Sequence, residues 1–316
     1  MKNILVTGSD GYIGSGLYKK LIDSGHKIKA VDRKIFFDLD KIYNDIDRPV
    51  NNFVDIKKEH LDGVDHVIHL AAISNDPLAE IDSRLTWETN VLYTQLLIEN
   101  CIKANVSQFT FASSGSVYGL KEEEKVTEDL DLVPITDYNK SKMCAERILL
   151  SYKDKIGLSI IRPATVCGIS IRQRLDVVVN ILTYQALTKG SINLFGGEQV
   201  RPHIHINDMH SLYIEIINYP QKYQGIFNAG FENIKNRDLA NMISEKVGAK
   251  INKTESADNR SYRLSSEKLL QAGFKPQYKV SDAIDDLVEA FNSKNLVDGP
   301  QTNSVKWLKD NKSNIL

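Results

Sequence analysis

Residues 4–14 read ILVTGSDGYIG, and the change of character within this stretch sets how the rest of the chain is read. Ile4, Leu5 and Val6 form an apolar run of strand length; Gly8, Gly11 and Gly14 follow at intervals of three, and the helix-length segment YIGSGLYKKLIDSG begins among them. Glycines at such a junction permit a tight turn and let the backbone approach a ligand closely. The free N–H groups of the helix start then face that ligand, so the spacing predicts a site for a dinucleotide's pyrophosphate. The next apolar run, KIKAVD, ends in Asp32, near the roughly 20-residue separation at which an acid meets the adenosine ribose. A carboxylate there accepts from the ribose hydroxyls and repels a 2′-phosphate, which favours NAD over NADP. Arg33 and Lys34, directly after it, leave open a basic pair that holds such a phosphate instead.

Working outward, short apolar runs alternate with amphipathic segments through NNFVD, DHVIHLAA, TWETNVLYTQLLIENCIKA, QFTFASS and LSIIRP. This alternation predicts an α/β fold over residues 1–167, a doubly wound parallel sheet covered on both faces. From about residue 168 the segments are shorter and mixed, with turn signals at Gly196-Gly197, Pro220 and Gly225. A smaller mixed α/β substrate-binding region is therefore expected over 168–298, interdigitated with the first and closing a cleft against it. Residues 299–316 read as a polar tail, loosely held despite Trp307.

Lys plus Arg number 40 against 41 Asp plus Glu, so no global field draws nucleic acid or anionic lipid, although a local basic site for a small phosphate is compatible with the balance. No run of 18 apolar residues occurs, and the apolar run after Lys2 is too short for a signal-peptide core; a cytoplasmic protein without a membrane span is expected. Cys101, Cys144 and Cys167 are isolated, which predicts reduced thiols. His203 and His205 share a strand face but lack a third ligand nearby, so packing is expected and no metal.

In TDYNKSK, residues 136–142, Tyr138 and Lys142 stand four apart in a helix-forming context and share a face. A phenol with an ordinary pKa of about 10 is a poor base near neutrality, and a nearby cation favours its phenolate.

Taken together, the GxxGxxG turn, DHVIHLAA (65–72), ETNVLYT (88–94), FASSGSVYG (111–119), the YxxxK pair, IIRPATVCG and VRPHIHINDM resemble, in this order, the extended short-chain dehydrogenase/reductases, the family of UDP-galactose 4-epimerase and related NAD-dependent nucleotide-sugar epimerases and dehydratases. The resemblance covers most of the chain and implies a Rossmann domain. It implies that Gly8, Gly11, Tyr12, Ile13, Gly14 and Asp32 bind NAD, that Asp55 and Ile56 flank the adenine, and that Leu70, Ala71, Ala72 and Asn90 belong to the cofactor groove. Tyr138 would take the proton of a sugar hydroxyl while hydride leaves the same carbon, Lys142 would also hold the nicotinamide ribose, and Ser114, with Ser113 as competitor, would present its hydroxyl to the reacting oxygen. Asn180 and Arg201 would address the sugar nucleotide's diphosphate. Either Arg260 or Arg263 would complete that clamp, unless both are surface residues.

The family's 4,6-dehydratases carry an Asp-Glu pair after the catalytic hydroxyl; Gly115-Ser116 stands here, which disfavours dehydration. Thr165 replaces an asparagine frequent in the epimerases, and residues 168–174 depart from the usual continuation, leaving Arg172 and Arg174 either on an unusual sugar or in solvent. The expected activity is oxidation of a nucleotide-diphosphate sugar at C4, as a 4-epimerase in carbohydrate biosynthesis. The alternatives are a 4-dehydrogenase or 4-keto reductase and, more remotely, a non-catalytic dinucleotide sensor or scaffold. A homodimer built on the helices near 86–104 and 137–154 is also implied.

Overall fold

The computed structural model describes residues 1–255 and 261–315. Its strands are β1 (Asn3–Thr7), β2 (Lys27–Val31), β3 (His66–His69), β4 (Gln108–Ala112), β5 (Gly157–Pro163), β6 (Thr165–Cys167), β7 (Ser191–Phe195), β8 (Val200–His205), β9 (Gly225–Ala229), β10 (Glu232–Lys235) and β11 (Lys250–Thr254). Helices are α1 (Tyr12–Asp23), α2 (Asp76–Ala79), α3 (Ser83–Trp87), α4 (Tyr93–Lys103), α5 (Asp137–Leu150), α6 (Val178–Lys189), α7 (Ile206–Asn218), α8 (Asn236–Val247), α9 (Glu267–Gln271), α10 (Val280–Asn292) and α11 (Ser304–Ile315).

Six strands form one parallel sheet in the order β2-β1-β3-β4-β5-β9. Side chains of β1 alternate between its faces: Ile4 and Val6 enter one core with Leu17, Leu21, Met209 and Leu212, while Leu5 enters the other with Leu97, Ile98, Phe109 and Leu149. Both faces are thus covered, as the near-continuous apolar strands require. The chain leaves β1 for β2 on one side and returns to β3 on the other, so the strand order reverses at β1, and a crevice opens beyond the carboxyl ends of the strands there.

Sheets β10-β8-β6 and β11-β7, with α6, α8 and α10, make a second, smaller core around Val179, Ile192, Leu239, Ile243 and Ile284. Strand β9 and helix α7 fall within 168–298 by number but pack with the large sheet. The expectation of a loosely held tail is corrected: residues 300–311 fold onto the body, with Thr302 and Ser304 buried and the Trp307 indole N–H donating to the carbonyl of Ile35 at 3.0 Å. An indole needs one acceptor and an apolar bed, and both come from segments that sequence spacing does not associate with it.

Candidate active site

A long cleft lies at the carboxyl ends of β1, β3, β4 and β5. Its floor is lined by Gly8, Gly11, Gly14, Leu70, Ala71, Ala72, Ser114 and Pro163, and its roof by Arg172, Arg174, Val177, Ser304 and Leu308. Two glycines are required by contact. A Cβ at Gly14 would sit 2.0 Å from the carbonyl oxygen of Gly8, and one at Gly8, whose φ is +75°, would meet the amide nitrogen of Ala71 at 2.7 Å. The turn therefore presses β1 against the start of α1 and against the β3 exit. Helix α1 begins at Gly11 with no side-chain cap and no acid in its first turn, so its N-terminal amides are open to an anionic ligand.

Asp32 stands at the end of β2 in the lining, its two carboxylate oxygens accepting the backbone N–H of Lys34 (2.8 Å) and of Asp10 (3.1 Å). Burial, then the Asp10 carboxylate, push it up to about 6 against those hydrogen bonds. Asp10, inside the glycine turn, is buried against Arg48 at 2.8 Å and accepts the N–H of Leu39. It staples the loop after β2 to the turn, a polar residue at a glycine-rich bend being the signal that could have marked it. Lys34 is drawn to Asp38 and Asp40, away from a ribose phosphate, whereas Arg33 stays exposed in the lining.

Asp55 and Ile56 do not line the cleft. The 3-10 turn Phe53–Asp55 leaves Asp55 exposed and sends Ile56 into the core, so that Asn51, Asn52 and Phe53 supply this wall. Asn90 is also absent from the lining. Buried in a π-turn over Glu88–Leu92, its amide accepts from the N–H of Ile73 (2.9 Å) and donates to the Ile73 carbonyl and to Ser141 (each 3.0 Å), joining the β3 exit to α5. Tyr12 and Ile13 are lining residues.

Thr136 caps α5, which carries Tyr138 and Lys142 into the cleft. Tyr138 and Ser114 line the same cleft, and Ser114 is 2.7 Å from the hydroxyl of Ser116, which donates to Asn139 Oδ1 at 2.7 Å. Ser113, the competitor, donates instead to Glu146, a carboxylate paired with Arg162 in the core. Burial pushes the Tyr138 phenol up to about 12, with the Ser114 hydrogen bond as the largest opposing influence. Lys142 reaches the end of β4. Its Nζ donates to the Ala112 carbonyl at 2.8 Å and lies over the Phe111 ring, and burial holds its pKa down to about 7 against the pull of Glu146.

Asn180 is not in the lining. It is fully buried in α6, its Oδ1 accepting the Gly168 N–H and its Nδ2 donating to the carbonyls of Gly168 and Arg174 and to Tyr12, so its amide serves the fold rather than the cleft. Arg201 on β8 and the exposed Arg263 are not in the lining, but Tyr262 is, its N–H donating to the Val200 carbonyl at the start of β8. Arg260 lies outside the described residues. His205 caps α7 by accepting the Asn207 N–H and stacks on Tyr278, and His203 is buried in β8.

The family model described as the NAD dependent epimerase/dehydratase family matches residues 4–230. The uncharacterised UDP-glucose epimerase YtcB of Bacillus subtilis strain 168 is 33% identical over 230 residues, 65% of this chain and 69% of that protein. UDP-glucose 4-epimerase of Thermotoga maritima, solved with UDP-glucose, superposes with a TM-score of 0.80 at 25% identity, covering 92% of this chain and 99% of that one. UDP-glucuronic acid 4-epimerase of Bacillus cereus, solved with UDP-glucuronic acid and NAD, shares the fold with a TM-score of 0.81 at 24% identity and the same coverage. The chain belongs to the NAD-dependent epimerase/dehydratase family and is an enzyme with NAD as its cofactor, which sets aside the sensor or scaffold reading. The glycine contacts, the uncapped start of α1 and the carboxylate of Asp32 fit that dinucleotide.

Proposed function

We propose that this member of the family is a nucleotide-sugar 4-epimerase. Tyr138 takes the proton of the sugar C4 hydroxyl, Ser114 donates to the same oxygen, and Lys142 holds the nicotinamide ribose. NAD supplies the acceptor for the C4 hydrogen and returns it. The observation that carries the reading is that Ser114, Tyr138 and Lys142 line the same cleft as the glycine turn and Asp32. Each hydroxyl in the Ser114–Ser116–Asn139 chain has one proton, so when Tyr138 is a phenolate Ser114 can turn its proton towards it, and when Tyr138 is a phenol Ser114 can accept. With the hydrogen returned as hydride to the opposite face of the C4 carbon and the Tyr138 proton returned to its oxygen, the product would be the 4-epimer. Gly115 and Ser116 offer no acid to expel a C6 hydroxyl. Arg201, beside the strand residue that Tyr262 bonds, and Arg263 are assigned to the sugar nucleotide's diphosphate at the rim.

The test is to incubate the purified protein with UDP-glucose and a panel of other nucleotide sugars, follow reduced nicotinamide by absorbance and identify products by NMR. An epimerase inverts C4 with no net NADH. Steady NADH with a 4-keto product assigns a 4-dehydrogenase instead, and loss of water contradicts the inference from Gly115-Ser116. The proposal includes a homodimer through α4 and α5, where Leu92 and Leu96 are 48% and 44% exposed; a monomer on sizing removes it.

A further inference from the structure

Arg172 is a cation in an unusual place. It is 4% exposed, lines the cleft, and no carboxylate among the described residues comes within ion-pair distance of it. Its partners are neutral: Nη2 donates to the hydroxyl of Ser304 at 2.7 Å and the carbonyl of Gln301 at 3.2 Å, and the guanidinium lies 4.6 Å from the centre of the Phe36 ring. Its Nε is buried with no hydrogen-bond partner. A buried charge stripped of water and left with an unused donor is unfavourable unless an anion completes it. Burial, then the neighbouring Arg174, push against the charged form, more than the carboxylates of Asp176 and Asp32 at longer range offset. Arg174 itself is already paired with Asp176 at 2.7 Å.

The loop carrying Arg172 is docked on the first turn of α1. The Arg172 N–H donates to Ser15 Oγ at 3.0 Å, and the Ser170 hydroxyl donates to the carbonyl of Tyr12 at 2.6 Å. The loop that carries the guanidinium is thus docked beside the uncapped start of α1, and Arg172 lines the same cleft as the glycine turn. The same guanidinium is fixed to the C-terminal segment, which is further held by the Ser304 N–H on Asp176 (2.9 Å), the Leu175 N–H on the Thr302 carbonyl (2.9 Å) and Trp307 on Ile35.

We infer that Arg172 binds the diphosphate of the dinucleotide and, through Gln301 and Ser304, latches the C-terminal segment over the bound cofactor. The inference rests on the reading of this cleft as the NAD site. Release of the dinucleotide then requires the latch to part, which favours retention of the cofactor through a catalytic cycle that returns its hydrogen.

The experiment uses the full chain freed of nucleotide, as wild type, Arg172→Met, Arg172→Lys and Ser304→Ala. Each is titrated with NAD, ADP-ribose and adenosine, and NAD release is timed by chase with excess competitor. Arg172→Met is expected to weaken NAD and ADP-ribose by roughly tenfold or more, the scale of a lost charge-assisted hydrogen bond, and to leave adenosine unchanged. Arg172→Lys should recover part of that affinity, because it keeps the charge but not the fork. Ser304→Ala should release NAD several-fold faster. NAD affinity in Arg172→Met equal to wild type, or an equal loss for adenosine, overturns the diphosphate assignment. An unchanged release rate in Ser304→Ala overturns the latch. Melting curves of the ligand-free variants report folding, and if Arg172→Met does not fold, Arg172→Lys and Ser304→Ala decide. A wild type that binds no NAD sinks the cofactor reading itself, a result distinct from a wild type that binds it and variants that do so equally.

Discussion

Gly8, Ala71, Ser114 and Pro163 reach the cleft from the ends of four adjacent strands, whereas Arg172 and Ser304 meet over it across 132 positions of sequence. The first group is positioned by the backbone. Parallel register brings the strand ends level, so whatever residue follows each strand must face the crevice. The second group is positioned by side chains. A guanidinium, a hydroxyl and an indole hold the roof in place, and each has been chosen by a partner from elsewhere in the chain. Floor residues should consequently show their effects in chemistry and cofactor choice, and roof residues in how long the cofactor stays.

The largest effect is expected on the floor. Tyr138→Phe keeps the ring and removes the acid/base group, so turnover should fall by about 10²-fold or more while NAD affinity, measured by titration, stays close to wild type. Full turnover in that variant would remove the phenol from the mechanism. A parallel loss of NAD affinity would show that the floor is not as independent of its chemistry as the comparison holds.

A smaller effect, also on the floor, is tied to pH. With its carboxyl raised to about 6, Asp32 is ionised above that pH and largely neutral below it. The preference for NAD over NADP should therefore be fullest above pH 7 and decline as pH falls through 6, and Asp32→Asn should flatten the profile. The linkage sign gives an independent readout. A carboxyl raised above its unfolded value of 3.8 binds more protons when folded, so ionising it costs stability as pH rises through that window. Asp32→Asn should raise the stability of the ligand-free protein at pH 7.5 by roughly 1 kcal/mol, allowing for the solvent that reaches the cleft. A lower melting temperature in that variant contradicts the assigned direction.

What could be read from the sequence follows the same division. The apolar run before Gly8, the intervals between the three glycines and the acid at the end of the next run determined the first βαβ unit, because a buried parallel strand must be apolar throughout and a close approach of backbones admits only glycine. The four-residue interval between Tyr138 and Lys142 likewise determined that both reach one cleft, since helical periodicity is local. It did not determine their protonation: the same burial that brings them to the cleft moves the phenol up and the ammonium down, and burial is a property of the packed molecule. Ser113 and Ser114 are alike in the sequence, and only the packed chain brings Glu146 to the first hydroxyl and Ser116 to the second. Asn180 shows the same limit. Its residue type suits a phosphate, but the carbonyls of Gly168 and Arg174 lie within its reach and satisfy it first. The segment after Gly299 is polar enough to read as a free tail, and only its meeting with Arg172 and Ile35 makes it part of the cleft. Hydrogen bonds between segments 132 and 272 residues apart leave no periodic trace in either one, because their cost and their gain are fixed only when the chain has brought the partners together.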